Sequence, residues 1–298
     1  MNGFFNIMKP PGMTSAAVVA VMRRLTGEKR VGHAGTLDPE AAGVLPVMTG
    51  KAARLFEYLV DKEKEYEAVC AFGSSTDSQD ATGTVLETGD TYPDPDTVRA
   101  KAQELVGEIV QRPSMYSAIK VGGKPLYVRA RKGETVEVPE RIVTIYSIEI
   151  TGEEPEHGVR MKVRCGKGTY IRTLCDDLGK KCGCPAHMRS LVRTQSGAFG
   201  IDTAITLDEA RELAAAGELA GKMIPPDAPL GHITRADVPE KHRKAVANGA
   251  KIPLNGWDGE YLPEDGIVRV YMDGAFWGIA QRQGNMLVWK AQIAPETV

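Results

Sequence analysis

The sequence predicts an α+β protein with a small all-β unit at its C-terminus, and three observations lead there. Helical and strand patterns are interspersed along most of the 298 residues. A segment with three prolines in nine residues, Ile224–His232, then interrupts the pattern. Beyond it come three short apolar runs, Ile267–Met272, Phe276–Gln281 and Met286–Ile293, separated by the turn dipeptides Asp273-Gly274 and Gly284-Asn285. The expected units are therefore 1–228 and 229–298.

Each element has its own signal. Thr14 and Ser15 open a helix, Val18, Val21, Met22 and Leu25 form its apolar stripe, and Gly27 stops it. Glu65–Phe72 alternates, with Tyr66, Ala68, Cys70 and Phe72 on one face, and reads as a strand. Ser74–Gly83 is a polar loop whose Asp77 and Asp80 lack the spacing of a calcium loop. Thr97–Val106 reads as a helix and Ile142–Ile150 as a strand. In Val159–Cys165 the odd positions are apolar while Arg160, Lys162 and Arg164 face the other way. The turn Gly166-Lys167-Gly168 leads from that strand into a helix striped by Ile171, Leu174, Cys175 and Leu178. Thr206 and Glu209 have the spacing of a capping box, opening a helix that should end near Gly221.

Composition narrows the function. No apolar run approaches the roughly 20 residues of a membrane span, and Met1–Thr14 does not read as a secretory signal. A cytoplasmic protein is expected. Five cysteines, an odd number, argue for reduced thiols. Cys182 and Cys184, with His187 nearby, lack the second pair of ligands a zinc site needs and read as buried or idle. A net charge of −2 gives no general attraction to nucleic acid, yet the basic residues are segregated. Gln111–Lys132 holds six basic residues and no acidic one, which fits either a phosphate-binding face or a solvated surface.

The stretch RVGHAGTLDPEAAG, Arg30–Gly43, is too rich in glycine for a helix or strand. A phosphate loop is excluded, because Thr49-Gly50-Lys51 and Gly166-Lys167-Gly168-Thr169 both lack the required pattern. His33 and Asp38 have no third ligand nearby to make a metal site. Asp38-Pro39-Glu40 fits a helix N-cap. The glycines around His33 are superfluous for a cap and fit a backbone held close to a ligand. Locally, Asp38 is either a cap or a reactive group.

Motifs along nearly the whole chain resemble the bacterial tRNA pseudouridine synthases of the TruB family. They are KPPGMTS (Lys9–Ser15), GHAGTLDPEAAGVLPV (Gly32–Val47), KEYEA (Lys64–Ala68) with the Asp80–Gly83 turn, RPSMYSAIKVGGKPLYVRARKG (Arg112–Gly133), GKGTYIRTLCDDLG (Gly166–Gly179) and HMRSLVRTQSGAF (His187–Phe199). The tail around GAFWGIAQ resembles a PUA domain, a small RNA-binding barrel. Ala42 and Ser114 depart from the family's usual serine and proline without touching reactive groups.

The resemblance implies a mixed, largely antiparallel sheet flanked by helices and loops, with an RNA-clamping insertion at about 108–140 and the PUA-like barrel behind it. It implies isomerisation of uridine to pseudouridine at position 55 in the T-loop of tRNA, with neither cofactor nor metal. The partner would be the T-arm, bound by a single copy of the chain. A glycosidase needs two carboxylates because water must be activated. Here the base leaves and returns, so one carboxylate suffices, either as a nucleophile on the sugar or by assisting elimination. Asp38 would be that nucleophile and Arg172 its ion-pair partner. The flipped base needs an aromatic or apolar enclosure. Tyr66 would stack on it, Tyr170 and Leu191 would wall the pocket, and His33 would hold the everted loop. Lys9, Arg30, Lys120, Arg129 and Arg131 are the candidates for RNA-backbone contacts. The competing reading is a non-catalytic tRNA-binding or RNA-folding protein with Asp38 as a cap.

Overall fold

The computed structural model describes residues 1–60, 62–255 and 262–295. In the N-terminal part, strand β1 (Gly3–Lys9) leads to helix α1 (Ser15–Thr26), strands β2 (Val31–His33) and β3 (Ala42–Thr49), and the short helix α2 (Glu57–Val60). Next come β4 (Lys64–Phe72), β5 (Ser74–Thr76), β6 (Val85–Thr88), α3 (Pro95–Gln103) and β7 (Gly107–Gln111). A small hairpin, β8 (Lys120–Val121) and β9 (Lys124–Pro125), precedes α4 (Leu126–Ala130). The long strands β10 (Arg141–Glu154) and β11 (Gly158–Cys165) then lead into α5 (Ile171–Cys182) and β12 (Ala186–Ser196). The pairs β13 (Phe199–Gly200) and β14 (Ile205–Thr206) precede α6 (Leu207–Ala215). Last come β15 (Thr234–Asp237), α7 (Arg243–Ala247), β16 (Ile252–Pro253), β17 (Ile267–Met272), β18 (Ala275–Gln283) and β19 (Met286–Gln292).

Among the described residues, one ten-stranded sheet runs β14-β1-β3-β12-β4-β11-β10-β7, with β2 beside β3 and β13 beside β12. Its pairings are antiparallel except at β1–β14 and β3–β12, which is the mixed, largely antiparallel sheet expected. A second sheet, β15-β17-β18-β19-β16, curls as a half-barrel at the C-terminal end. Residues 256–261 and 296–298 of the expected C-terminal unit lie outside the described residues.

The helices form where their caps allow. Thr14 Oγ1 accepts from Ala17 N at 3.1 Å, and Gly27, at φ 68°, ends α1. Helix α3 starts earlier than its apolar pattern implies. Asp94 is the cap and Pro95 occupies the first turn; the helix ends at Gln103, and Glu104–Val106 turn away. The capping box of α6 is present at Thr206 and Glu209, but the helix ends at Ala215 rather than near Gly221. Gly217, at φ 76°, turns the chain and a 3-10 turn over Leu219–Lys222 follows.

Three apolar clusters place the site. On one sheet half, Leu174, Cys175 and Leu178 of α5 pack on Ala68 and Cys70 of β4, Met161 and Val163 of β11, and Leu191 of β12. On the other half, Val18 and Met22 of α1 and Leu207 of α6 cover Phe5, Ile7, Leu45 and Val47. The opposite face of β1 and β3, with Phe4 and Val44, joins Leu55 to Ile279, Ala291 and Ile293 of the C-terminal sheet. Strands β1 and β3 are thus buried on both faces, and they read as continuous apolar runs rather than alternating ones.

The parallel pair β3–β12 is tight. Gly43 sits at φ 108°, and a Cβ there would lie 2.2 Å from the Arg193 carbonyl oxygen. Gly43→Ala is therefore expected to destabilise the fold by about 3 kcal/mol, from combined backbone strain and overpacking. A urea titration of the variant should show the lowered midpoint.

Candidate active site

Asp38 lies on the segment between β2 and β3, and no helix follows it: Pro39 and Glu40 form a bend and β3 starts at Ala42. The cap reading of Asp38 is corrected on that ground. Strand pairing claims the chain four residues later, which leaves no room for a helical turn.

Three staples hold this segment. Ser15, at the start of α1, bonds Leu37 twice: its Oγ accepts from Leu37 N at 2.9 Å and donates to Leu37 O at 3.0 Å. Lys9, at the end of β1, donates from Nζ to the carbonyls of Pro10, Met13 and Pro39 at 2.6–2.8 Å. Arg193 of β12 donates to Gly35 O and Val44 O at 3.0 and 2.8 Å. Gly35, at φ 89°, leaves the room: a Cβ there would come within 3.3 Å of Arg193 Nη1. Lys9 and Arg193 are both fully buried. Lys9 was expected at the RNA backbone; its N–H donors instead tie Pro39, next to Asp38, to Pro10 and Met13 of the loop between β1 and α1. Burial pulls its ammonium down to about 8, against the pull of Glu40 and Asp38.

Arg172, on the first turn of α5, meets Asp38. Its Nε stands 2.9 Å from Asp38 Oδ2, and its Nη2 donates to Oδ1 at 3.2 Å. Further acceptors surround the guanidinium: Ser78 O at 3.0 Å, Tyr116 O at 3.2 Å, and the Asp80 carboxylate at 3.5 Å. The pair is asymmetric. The arginine side chain is 5% exposed, while the aspartate is 37% exposed and faces a cavity.

That cavity, of about 550 Å³, is lined by Asp38, Tyr66, Tyr170, Arg172 and Leu191 among others, so four distant sequence candidates do meet Asp38. The sheet explains how. Strands β4 and β12 are neighbours, with Leu191 opposite Ala68 and Arg193 opposite Tyr66. Tyr170 is set by Gln111 at the end of β7. The Gln111 side chain accepts from Tyr170 N at 3.0 Å and donates to Tyr170 O at 3.2 Å. Burial raises the phenols of both Tyr66 and Tyr170 above their ordinary value.

The remaining candidates fall elsewhere. His33 lies on β2, outside the cavity wall, with Nδ1 buried and without a hydrogen-bond partner. Burial, with the Arg193 charge nearby, lowers its pKa. Arg30 is exposed ahead of β2. Lys120 and Arg131 are exposed on the segment between β7 and β10, strands that pair with each other and so project it from the sheet. Arg129 instead braces that segment, donating to Val121 O at 3.0 Å. Cys184 is buried, and His187 Nδ1 lies 2.9 Å from Ser74 O. Among the described residues no three His, Cys, Asp or Glu side chains converge as metal ligands would. No helix among them is long and apolar enough to cross a membrane.

Sequence reasoning missed Ser15, Arg193, Asp80 and Gln111. Arg193 had a readable signal, since it falls two positions after Leu191 and so on the same inward face of β12. The others are ordinary polar residues whose roles come from distant partners.

A mixed sheet carrying a buried arginine that holds an aspartate at a cavity defines a candidate active site, and comparison with known proteins identifies the fold as that of a pseudouridine synthase. Residues 23–171 match the TruB family pseudouridylate synthase N-terminal domain, and residues 172–227 match the tRNA pseudouridylate synthase B C-terminal domain. The chain is 44% identical over 279 residues to the tRNA pseudouridine synthase B of Alkaliphilus oremlandii, covering 93% of this chain and 92% of that one. It is 43% identical over 256 residues to the protein of the same name from Bacillus subtilis, covering 84% and 83%. Among solved structures it resembles an H/ACA RNP bound to a substrate RNA containing 2'-deoxyuridine, with TM-score 0.74, 25% identity and coverage of 98% and 85%. It also resembles a Cbf5-Nop10-Gar1 complex, with TM-score 0.71, 27% identity and coverage of 94% and 78%. The chain belongs to the TruB family of pseudouridylate synthases. Membership decides for an enzyme over the non-catalytic alternative.

The Lys9 staple has a pH signature. Its folded value of about 8 lies below the roughly 10.4 of an exposed lysine. Between those values the unfolded chain binds more protons, so the Lys9 contribution makes stability rise with pH across that window. In Lys9→Met this positive slope should vanish. The variant should also lose about 3 kcal/mol, because three carbonyls lose their donor. Denaturant titrations of both proteins at a series of pH values check both outcomes.

Proposed function

We propose that this chain converts uridine to pseudouridine at position 55 in the T-loop of tRNA, with Asp38 as the one reactive carboxylate. The observation that carries the reading is the asymmetric pair, a dry Arg172 holding an Asp38 that is open to the cavity. The names of the relatives, tRNA pseudouridine synthase B, support tRNA as the substrate class. A structural neighbour bound to a substrate RNA supports an RNA seated on this fold.

In this reading one copy of the chain grips the T-arm in the cytoplasm. The target uridine leaves the stack and its base enters between Tyr66 and Leu191, with Tyr170 closing the wall. A base loses its stacking in water, and the buried aromatic and apolar faces restore part of it. Asp38 then acts at the ribose while the glycosidic C–N bond breaks. The uracil turns, the C1′–C5 bond forms as C5 gives up its hydrogen, and the freed N1 takes up a proton, so product and substrate have the same composition. Arg172 keeps the carboxylate aimed, its Nε 2.9 Å from Oδ2 and its Nη2 3.2 Å from Oδ1. With their pKa values raised, Tyr66 and Tyr170 stay neutral at neutral pH and serve as walls. Arg30, Lys120 and Arg131, all exposed, contact RNA phosphates in this reading. His33, neutral and beside the cavity, props the opened loop.

Asp38→Asn should keep the fold and tRNA binding but release no tritium from tRNA carrying 5-tritiated uridine; full release by this variant would overturn the role of Asp38. Mapping pseudouridine in an unmodified transcript tests the position. Separately, Lys120→Ala and Arg131→Ala should weaken tRNA binding, and each should reduce its salt slope by about 0.7–0.9, the share of one neutralised phosphate. Arg129→Ala should act through local destabilisation of the hairpin it braces.

A further inference from the structure

Arg141, at the start of β10, is a cation of the cavity wall that the proposed reaction leaves unused. Its guanidinium is fixed from two sides. It lies over the Tyr170 ring, 5.5 Å from the centroid, and donates from Nη1 to Gly168 O at 3.2 Å. Gly168, at φ 79°, makes the second contact possible: a Cβ there would sit 3.3 Å from Arg141 Nη1.

The other two arginines of the cavity are committed. Arg172 is bound to Asp38 and Asp80, and Arg193 to the carbonyls of Gly35 and Val44. Arg141 differs. Among the described residues no carboxylate stands within ion-pair distance of it, and its bond to Gly168 uses one of five N–H donors. It is half-buried rather than enclosed, so its remaining donors border the cavity and the solvent at its rim. An arginine held in one orientation with open donors and no anion of its own is preorganised for an incoming anion.

The chemistry of a flipped nucleotide supplies one. A uridine whose base sits against Tyr66 and whose ribose reaches Asp38 remains joined to the strand through two phosphodiesters, and both must pass the rim of the cavity. We propose that Arg141 is a phosphodiester-binding residue, gripping a backbone phosphate adjacent to the flipped nucleotide. It couples that grip to the Tyr170 wall through the ring beneath it. The proposal rests on the reading of Asp38 as the reactive group at a flipped uridine.

The test is a binding measurement that does not depend on turnover. The full chain carrying Asp38→Asn is titrated with T-arm RNA in which single linkages around the target uridine are replaced by neutral methylphosphonate. One adjacent linkage should matter, weakening binding on the order of tenfold, as removal of a charged hydrogen bond would. When Arg141→Gln is added, the same replacement should change binding less than about twofold, since the partner is already gone. Arg141→Gln retains a donor for Gly168 O, and Arg141→Ala serves as the second variant. In the otherwise unaltered enzyme, Arg141→Gln should raise KM while leaving kcat within about threefold, and flatten the salt slope by about 0.7. Undiminished sensitivity to every neutral linkage in the Arg141 variants would overturn the proposal. So would a fall in kcat with unchanged KM and salt slope, which would make Arg141 a support for Tyr170 alone. Failure of the Asp38 reading would appear elsewhere, as pseudouridine formed by Asp38→Asn.

Discussion

A guanidinium with almost no access to water has to find its partners within the protein, and Arg172 imposes that demand on four segments at once. The Asp38 carboxylate, the Ser78 carbonyl with the Asp80 carboxylate, and the Tyr116 carbonyl converge on it from separate loops, while α5 supplies the arginine itself. Removing one of these acceptors outright would strand part of a buried charge, which costs about 3–5 kcal/mol. The charge therefore acts as an assembly rule: the loop after β5, the projecting segment after β7 and the Asp38 segment are correctly placed only together. The asymmetry of the pair follows from the same geometry. The cation is enclosed because it has more donors than one carboxylate can satisfy, and the anion keeps an open side because Arg172 contacts it from one side only.

An ion pair alone would leave Asp38 on a swinging loop. The staples from Ser15, Lys9 and Arg193 remove that freedom, and each comes from an element already fixed by packing: the start of α1, the end of β1 and the middle of β12. They bind backbone atoms rather than side chains. That matters, since a buried irregular segment carries polar groups that strand pairing cannot satisfy. The segment is thus rigid without being regular. A buried lysine is a costly way to achieve this, and its lowered pKa is the thermodynamic mark of that cost. The three short bonds to carbonyls are the compensation.

Local signals made part of this fold legible in the sequence. Helix α1 was readable at both ends and α6 at its start, because caps and, for α1, the glycine stop act within a few residues. Strands β4 and β11 were readable because one face is buried and the other wet, giving a two-residue period. Strands β1 and β3 were not, since packing on both faces erases the alternation. Helix α3 was displaced because its apolar pattern starts inside a helix whose true start is set by Asp94 and Pro95. The gathering of Tyr66, Tyr170, Arg172 and Leu191 around Asp38 was reached through family resemblance. Their adjacency depends on β12 lying between β3 and β4, a long-range pairing with no local signal.

Asp38 departs from its local reading for a reason that also accounts for Lys9. Aspartate before proline reads as a cap because that inference assumes the local chain is free to choose. Here it is not. Strand β3 has to begin at Ala42 so that Gly43 can pass the Arg193 backbone, and that contact requires a residue without a side chain in a conformation other residues avoid. Once Gly43 is fixed, the four residues before it cannot wind into a helix. The carbonyls a helix would have satisfied must find other donors, and Lys9 is one of them. Gly43 is thus the reason that Asp38 caps nothing, and its contact with β12 leaves the carboxylate facing a cavity instead of a helix axis.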